Sequence, residues 1–228
     1  MSRFVKPLQS ISRLSDRVGG GGGKKTLEIV STRTSSVNVT TSSFEMYLPT
    51  GAKPGDALYF VACVANGILG SAVGCVNTSL NYAAVYGRRL TGTEGPSITV
   101  STTSSPTTAA YSAVLIRNGV VAESLGGKDM VFQTSTSTLF MPSRTMIREK
   151  LMVFAVSLGN ANSIVGNYAP YTQLARSGNG PSTGIFVHDS VQDGFGPWGY
   201  GPQFSAGSSS YRAGIVLPLI SYQIPDAP

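Results

Sequence analysis

Two nearly uninterrupted apolar runs, Leu58-Tyr59-Phe60-Val61-Ala62-Cys63-Val64 and Leu151-Met152-Val153-Phe154-Ala155-Val156, constrain this chain more than any other feature. Each is too short for a core helix. Each is also rich in β-branched and aromatic residues, which predicts a strand buried on both faces. The residues around them recur. Asp56 to Ala62 aligns with Glu149 to Ala155 at an offset of 93, and Pro49 and Pro142 precede the two segments. Further on, Ala110-Tyr111-Ser112-Ala113-Val114-Leu115 matches Ser210-Tyr211-Arg212-Ala213-Gly214-Ile215 at an offset of 100. A sheet with an apolar face must bury it, and two similar units can do so against each other.

The expected fold is therefore all-β: an antiparallel, jelly-roll-like β-sandwich with pseudo-twofold symmetry. It is built from two half-units, about 40–120 and 135–223, within a body spanning 26–228. Period-two patterning bounded by Gly, Pro, Ser and Asn places strands at Leu27–Arg33, Phe44–Leu48, Leu58–Ala65, Ala83–Leu90 and Ser97–Thr102. Others fall at Tyr111–Arg117, Leu151–Ser157, Gly184–Ser190 and Tyr211–Leu219. With 41% hydrophobic residues the body has enough apolar side chains for a core. No apolar run reaches the length of a membrane-spanning helix, and the first residues lack the apolar segment of a secretory signal.

The formal charge of +6 is unevenly placed. Residues 1–25 carry Arg3, Lys6, Arg13, Arg17, Lys24 and Lys25 against Asp16, which leaves the remaining residues almost neutral. A neutral body offers no broad footprint for a polyanion, so nucleic acid is not expected as a partner. The basic stretch ends in five glycines, Gly19 to Gly23, a flexible joint. Upstream, Leu8, Ile11, Leu14 and Val18 fit one stripe of a short helix, with Phe4 and Pro7 before it. So short a helix orders only against a partner, and the stretch reads either as an anchoring arm or as a soluble tail. The anchor reading is preferred, with Arg3, Phe4, Leu8, Ile11, Leu14, Arg17 and Val18 as its contacts.

Chemistry-bearing groups are sparse. The one histidine, His188, precedes Asp189 and Ser190, but neighbours on a strand face opposite sides and cannot converge as a triad. One His and two Cys cannot furnish the usual zinc sets, so no metal or other cofactor is expected. Cys63 and Cys75 permit a disulfide, although both as small buried hydrophobes is the preferred reading. Asp56 and Glu149 occupy equivalent turns, where a carboxylate bonds nearby backbone amides. No paired-acid arrangement is visible, and no enzymatic activity is expected. The segment Asp193-Gly194-Phe195-Gly196-Pro197-Trp198-Gly199-Tyr200-Gly201-Pro202 carries the lone Trp amid turn formers, so irregular backbone is expected there. Phe195, Trp198 and Tyr200 read as a cap on the core, a protein interface or a glycan contact.

Lys53-Pro54-Gly55-Asp56-Ala57-Leu58-Tyr59-Phe60-Val61 resembles the "x-P-G-D-L-L-hydrophobic" turn and strand of a family of tailed-bacteriophage virion proteins. Ala113-Val114-Leu115-Ile116-Arg117-Asn118-Gly119 is similar to that family's "A-x-I-V-L-x-R-G/N" strand, and Ala213 to Pro218 to its closing strand. The family's "P-P-x-G-W" turn is absent, and Val76 to Tyr82 stand there as a loop. The resemblance covers most of residues 40–222 and implies a β-sandwich used in tails, fibres or capsid decoration. Its implied role is a structural virion protein, assembled in the host cytoplasm and held to other virion proteins through the arm. A homo-oligomer, and no membrane, goes with that role. Tail or fibre is preferred over capsid-surface decoration, with a carbohydrate-binding module that contacts a host glycan as the competing class.

Overall fold

The computed structural model describes residues 26–65, 67–79, 81–103, 107–119, 121, 130–133, 138–141, 150–158, 164–166, 172–177, 181–188, 199–204 and 212–219. Among these residues the protein is all-β, without a helix. The first eight strands are β1 (Glu28–Val39), β2 (Ser43–Tyr47), β3 (Ala57–Val64), β4 (Leu69–Ala72), β5 (Val76–Ser79), β6 (Ala83–Arg89), β7 (Ser97–Thr102) and β8 (Thr107–Arg117). The second eight are β9 (Met130–Gln133), β10 (Thr138–Met141), β11 (Lys150–Ser157), β12 (Ile164–Gly166), β13 (Thr172–Ser177), β14 (Ser182–His188), β15 (Gly199–Phe204) and β16 (Arg212–Leu219).

Strand order makes the repeat explicit. The first eight strands form a five-stranded sheet, β1-β8-β3-β6-β5, and a three-stranded sheet, β2-β7-β4. The second eight form β9-β16-β11-β14-β13 and β10-β15-β12, the same order strand for strand. All pairs between neighbouring strands are antiparallel. In each unit the chain crosses repeatedly between the two sheets, the winding of a jelly roll. The expected antiparallel β-sandwich is present, but it has four layers instead of two, because each repeat is already a sandwich. β1 and β9 also extend the repeats upstream of the expected starts.

The long apolar runs follow from this layering. In β3, Leu58, Phe60, Ala62 and Val64 enter a core with Phe44 and Met46 of β2 and Val100 of β7. Alternate residues Ala57, Tyr59, Val61 and Cys63 enter a second core with Met152, Phe154 and Val156 of β11 and Ile185 of β14. The strand has no solvent face, so its pattern loses the usual polar alternation. Tyr59 and Phe154 meet across this shared core with ring centroids 6.0 Å apart. Val153 and Ala155, on the other face of β11, are buried as well, and β10, β12 and β15 lie against β11, β14 and β16.

Across the shared core β3 lies over its own counterpart β11, β8 over β14 and β1 over β13. That reversal of order is what a twofold axis running along the strands produces. It also points both units the same way: Cys63 Sγ, near the end of β3, lies 3.5 Å from the carbonyl oxygen of Ser182 at the start of β14.

One expected match is out of register. Phe60 pairs with Ala113 in the first unit and Val153 with Val216 in the second. Phe60 and Val153 correspond, so Ala113 corresponds to Val216, and Tyr111 corresponds to Gly214, not Tyr211. A shift of three residues puts a side chain on the opposite face, so the shared Tyr-x-Ala pattern is not a structural equivalence. The offset of 100 instead relates β6 to β14, where Tyr86 and Phe186 hold the same place.

Two further expectations change. Val76–Ser79 is strand β5, not loop, and pairs with β6 from Gly87 to Ala84. Gly199–Phe204 is strand β15, so the Gly- and Pro-rich composition does not keep Tyr200 in irregular backbone. Its pairing with β10 passes from Phe140↔Tyr200 to Thr138↔Gln203 through an irregularity. Such a break accommodates Pro202, which has no amide hydrogen to donate.

Candidate interaction surface

The residues expected to anchor the chain, Arg3, Phe4, Leu8, Ile11, Leu14, Arg17 and Val18, lie outside the described residues, as do Phe195 and Trp198. Tyr200 opposes Phe140 in β15, and its side chain lies outside what is described. His188 ends β14 opposite Leu151, while Asp189 and Ser190 are outside. What the structure does describe is the place where the basic stretch joins the body.

That junction is fastened from several sides. Leu27 is buried in the core shared by the two five-stranded sheets. Asn118, in the left-handed conformation at the end of β8 (φ 59°), donates its side-chain amide to the Thr26 carbonyl at 3.0 Å. Arg117 lies 3.7 Å from the Glu28 carboxylate. β1 then pairs with β8 from Glu28↔Arg117 to Val39↔Thr107.

Arg117 is itself held by Asp56, which is only 3% exposed. Its Nε and Nη2 each donate to a different Asp56 carboxylate oxygen at 3.1 Å, and Nη2 also reaches the Gly51 carbonyl at 3.2 Å. This two-pronged geometry suits a guanidinium and a carboxylate. The hydrogen bonds to Asp56, with the carboxylates of Asp56 and Glu28 nearby, raise the Arg117 pKa further, so the cation persists at any ordinary pH. Asp56 accepts a third bond from the Lys53 amide at 3.1 Å, the expected turn role. Gly55 makes the turn, with φ 88° and its amide on the Leu90 carbonyl at 2.7 Å. The sequence flagged Asp56 as a turn former but did not reveal its partner, 61 residues downstream.

A second polar cluster stands at the same end. Glu94 accepts from the amide of Thr91 at 2.9 Å, its hydroxyl at 2.8 Å and the amide of Gly92 at 2.8 Å, and lies 2.9 Å from Arg88 Nη2. Burial would raise its pKa, but the hydrogen bonds to Thr91 and Gly92 outweigh that and bring it down to about 2. The root of the basic stretch thus sits at a charged end, with Glu28, Lys53, Asp56, Arg88, Arg89, Glu94 and Arg117 around it.

The shared core also contains hydroxyl groups. Thr183 Oγ1 lies 2.8 Å from Ser112 Oγ and 2.6 Å from Ser177 Oγ, a buried chain linking the two units. Cys63 and Cys75 are both free thiols, the first buried and the second partly so. Burial raises both pKa values: well above the usual thiol range for Cys63, and to about 11 for Cys75, where Arg88 offsets part of the rise. Neither is poised as a thiolate nucleophile. Among the described residues no cluster of His, Cys, Asp or Glu could hold a metal ion.

Comparison with models of protein families, with curated proteins and with solved structures finds no match.

Proposed function

We propose that this protein is a structural component of a tailed-bacteriophage particle, tail- or fibre-associated, held by residues 1–25 and displaying a tandem jelly-roll body. The observation that carries this reading is the fastening of Thr26–Glu28. A tether can position a body only if its root is continuous with something rigid. Here the root enters the shared core through Leu27 and is bonded through Asn118 and Arg117. In the sequence Gly19 to Gly23 stand just before that root, and so glycine-rich a composition suits a joint between the body and its support. The phage assignment itself is supported by the turn and strand resemblance of Lys53–Val61 and Ala113–Gly119.

Deleting residues 1–23 tests the reading. The truncated body should melt at the same temperature as the full chain and fail to enter particles. Incorporation at the full-length level would show that the basic stretch is not the anchor. Counting copies per particle separates a tail component, present in few copies, from a capsid-surface decoration, present in many.

A further inference from the structure

The end of the first unit opposite the charged root differs in chemistry. It is formed by the β1–β2, β3–β4, β5–β6 and β7–β8 connections. Residues 39–43, 64–69, 79–83 and 102–108 contain no Asp, Glu, Lys, Arg or His. Backbone hydrogen bonds knit these connections into one floor. The Thr102 amide donates to the Ser42 carbonyl at 2.7 Å, and the Thr103 amide to the Ile68 carbonyl at 3.0 Å. The Leu69 amide reaches the Asn81 carbonyl at 2.7 Å, and the Val64 amide the Tyr82 carbonyl at 2.9 Å.

Two of the four large hydrophobic side chains most exposed among the described residues stand here, Ile68 at 45% and Tyr82 at 41%. The Leu69–Asn81 hydrogen bond brings their segments side by side. Around them are exposed Thr41, Ser42, Asn81 and Thr103. Asn81 has φ 62°, a conformation that glycine adopts most easily, so this position keeps an amide side chain at some conformational cost.

We infer that this end binds a neutral glycan, with Tyr82 and Ile68 against the apolar face of a sugar ring and Asn81, Thr41, Ser42 and Thr103 meeting its hydroxyls. An aromatic ring with a polar handle suits a surface apolar in one direction and wet in another. The charge-free composition selects an uncharged ligand, because none of the described residues at this end carries a charge that would compensate a carboxylate or sulfate. The end also points away from the root of residues 1–25, so a body held by that stretch presents it outward. Glycan binding does not rest on the phage reading, and particle incorporation is a separate measurement.

The test is binding of the full chain to an array of neutral oligosaccharides built from glucose, galactose, mannose and N-acetylglucosamine, with sialylated and sulfated glycans as comparators. Binding is expected to neutral members only, equally at low and high salt. Tyr82→Ala should weaken it roughly tenfold or more at an unchanged melting temperature. Asn81→Gly, which retains the backbone conformation and removes only the amide, should weaken it less. Absence of binding to every neutral glycan, preference for the charged comparators, or binding lost in Trp198→Ala but retained in Tyr82→Ala would each overturn the inference.

Discussion

The two jelly-roll units share one strand order and one internal axis, but they differ in how their polar groups are fixed. In the first unit Tyr111 is buried and its hydroxyl receives the Tyr47 amide at 3.0 Å, while the Tyr86 hydroxyl donates to the Gly70 carbonyl at 2.8 Å. The corresponding residues of the second unit are Gly214 and Phe186, which have no hydroxyl. Asp56 has Glu149 as its counterpart, but the sequence continues the counterpart of β8 with Ile220 where the first unit has Arg117. The comparison separates two layers of information. Apolar periodicity and turn placement specify the winding, and both units keep them. Among the described residues, the clamps built on Asp56, Tyr86 and Tyr111 lie in the unit at whose root residues 1–25 join.

The comparison breaks most severely at the core both units share. Phe154→Ala removes a ring packed on Tyr59 and should cost about 3–5 kcal/mol. Because the cavity opens between the units, both should lose stability together in a single urea transition. Two separated transitions would show that the shared core does not couple them. Asp56→Ala comes next, at about 1–3 kcal/mol, because it strips partners from the Lys53 amide and from Arg117. Glu149→Ala should cost clearly less. Equal losses in thermal melts would mean that the second unit has a clamp of its own.

How much of this was legible depended on what each segment faces. β3 and β11 were readable because both faces are buried, so no polar residue interrupts them. β1 was readable only to Arg33; its continuation, Thr34-Ser35-Ser36-Val37-Asn38-Val39, is polar because it lies at a sheet edge. Edge strands β5 and β13, with Asn77 and Thr78 in one and Thr172, Gln173 and Arg176 in the other, look like loops for the same reason. β15 was hidden by Gly201 and Pro202, whose local preference gives way to pairing on both sides. The Asp56–Arg117 pair and the Ser112–Thr183–Ser177 chain had no sequence signal, since each joins residues distant in the chain through strand order that composition does not encode. The repeat was detectable, but a coincidence of small residues near Tyr211 set part of it three residues out.

Tyr111→Phe sharpens the contrast on a finer scale. It keeps the ring, which packs on Phe60 with centroids 6.2 Å apart, and removes only the acceptor of the Tyr47 amide. A loss of about 0.5–1.5 kcal/mol in chemical denaturation is expected. No loss at all would mean that the hydroxyl merely accompanies the packing, and that Gly214 gives up nothing but volume.

The smallest expected effect is electrostatic and depends on pH. The Glu94 side chain is only 4% exposed, and its pKa in the folded protein is held down to about 2. An unfolded glutamate titrates near ~4.3. Between those values the unfolded chain binds the proton more readily than the folded one, so stability rises with pH across the window. The contribution is fully present above the unfolded value and disappears as pH falls toward 2. Glu94→Gln removes the titrating group, so its stability should depend less on pH between about 5 and 2 than that of the wild type, with the two curves furthest apart at neutral pH. Parallel curves across the window would show that the bonds from Thr91 and Gly92 do not bias protonation. The loop would then owe its place to its other contacts, among them Pro54 seated against Gly92, where an added Cβ would lie 2.6 Å from the proline Cγ.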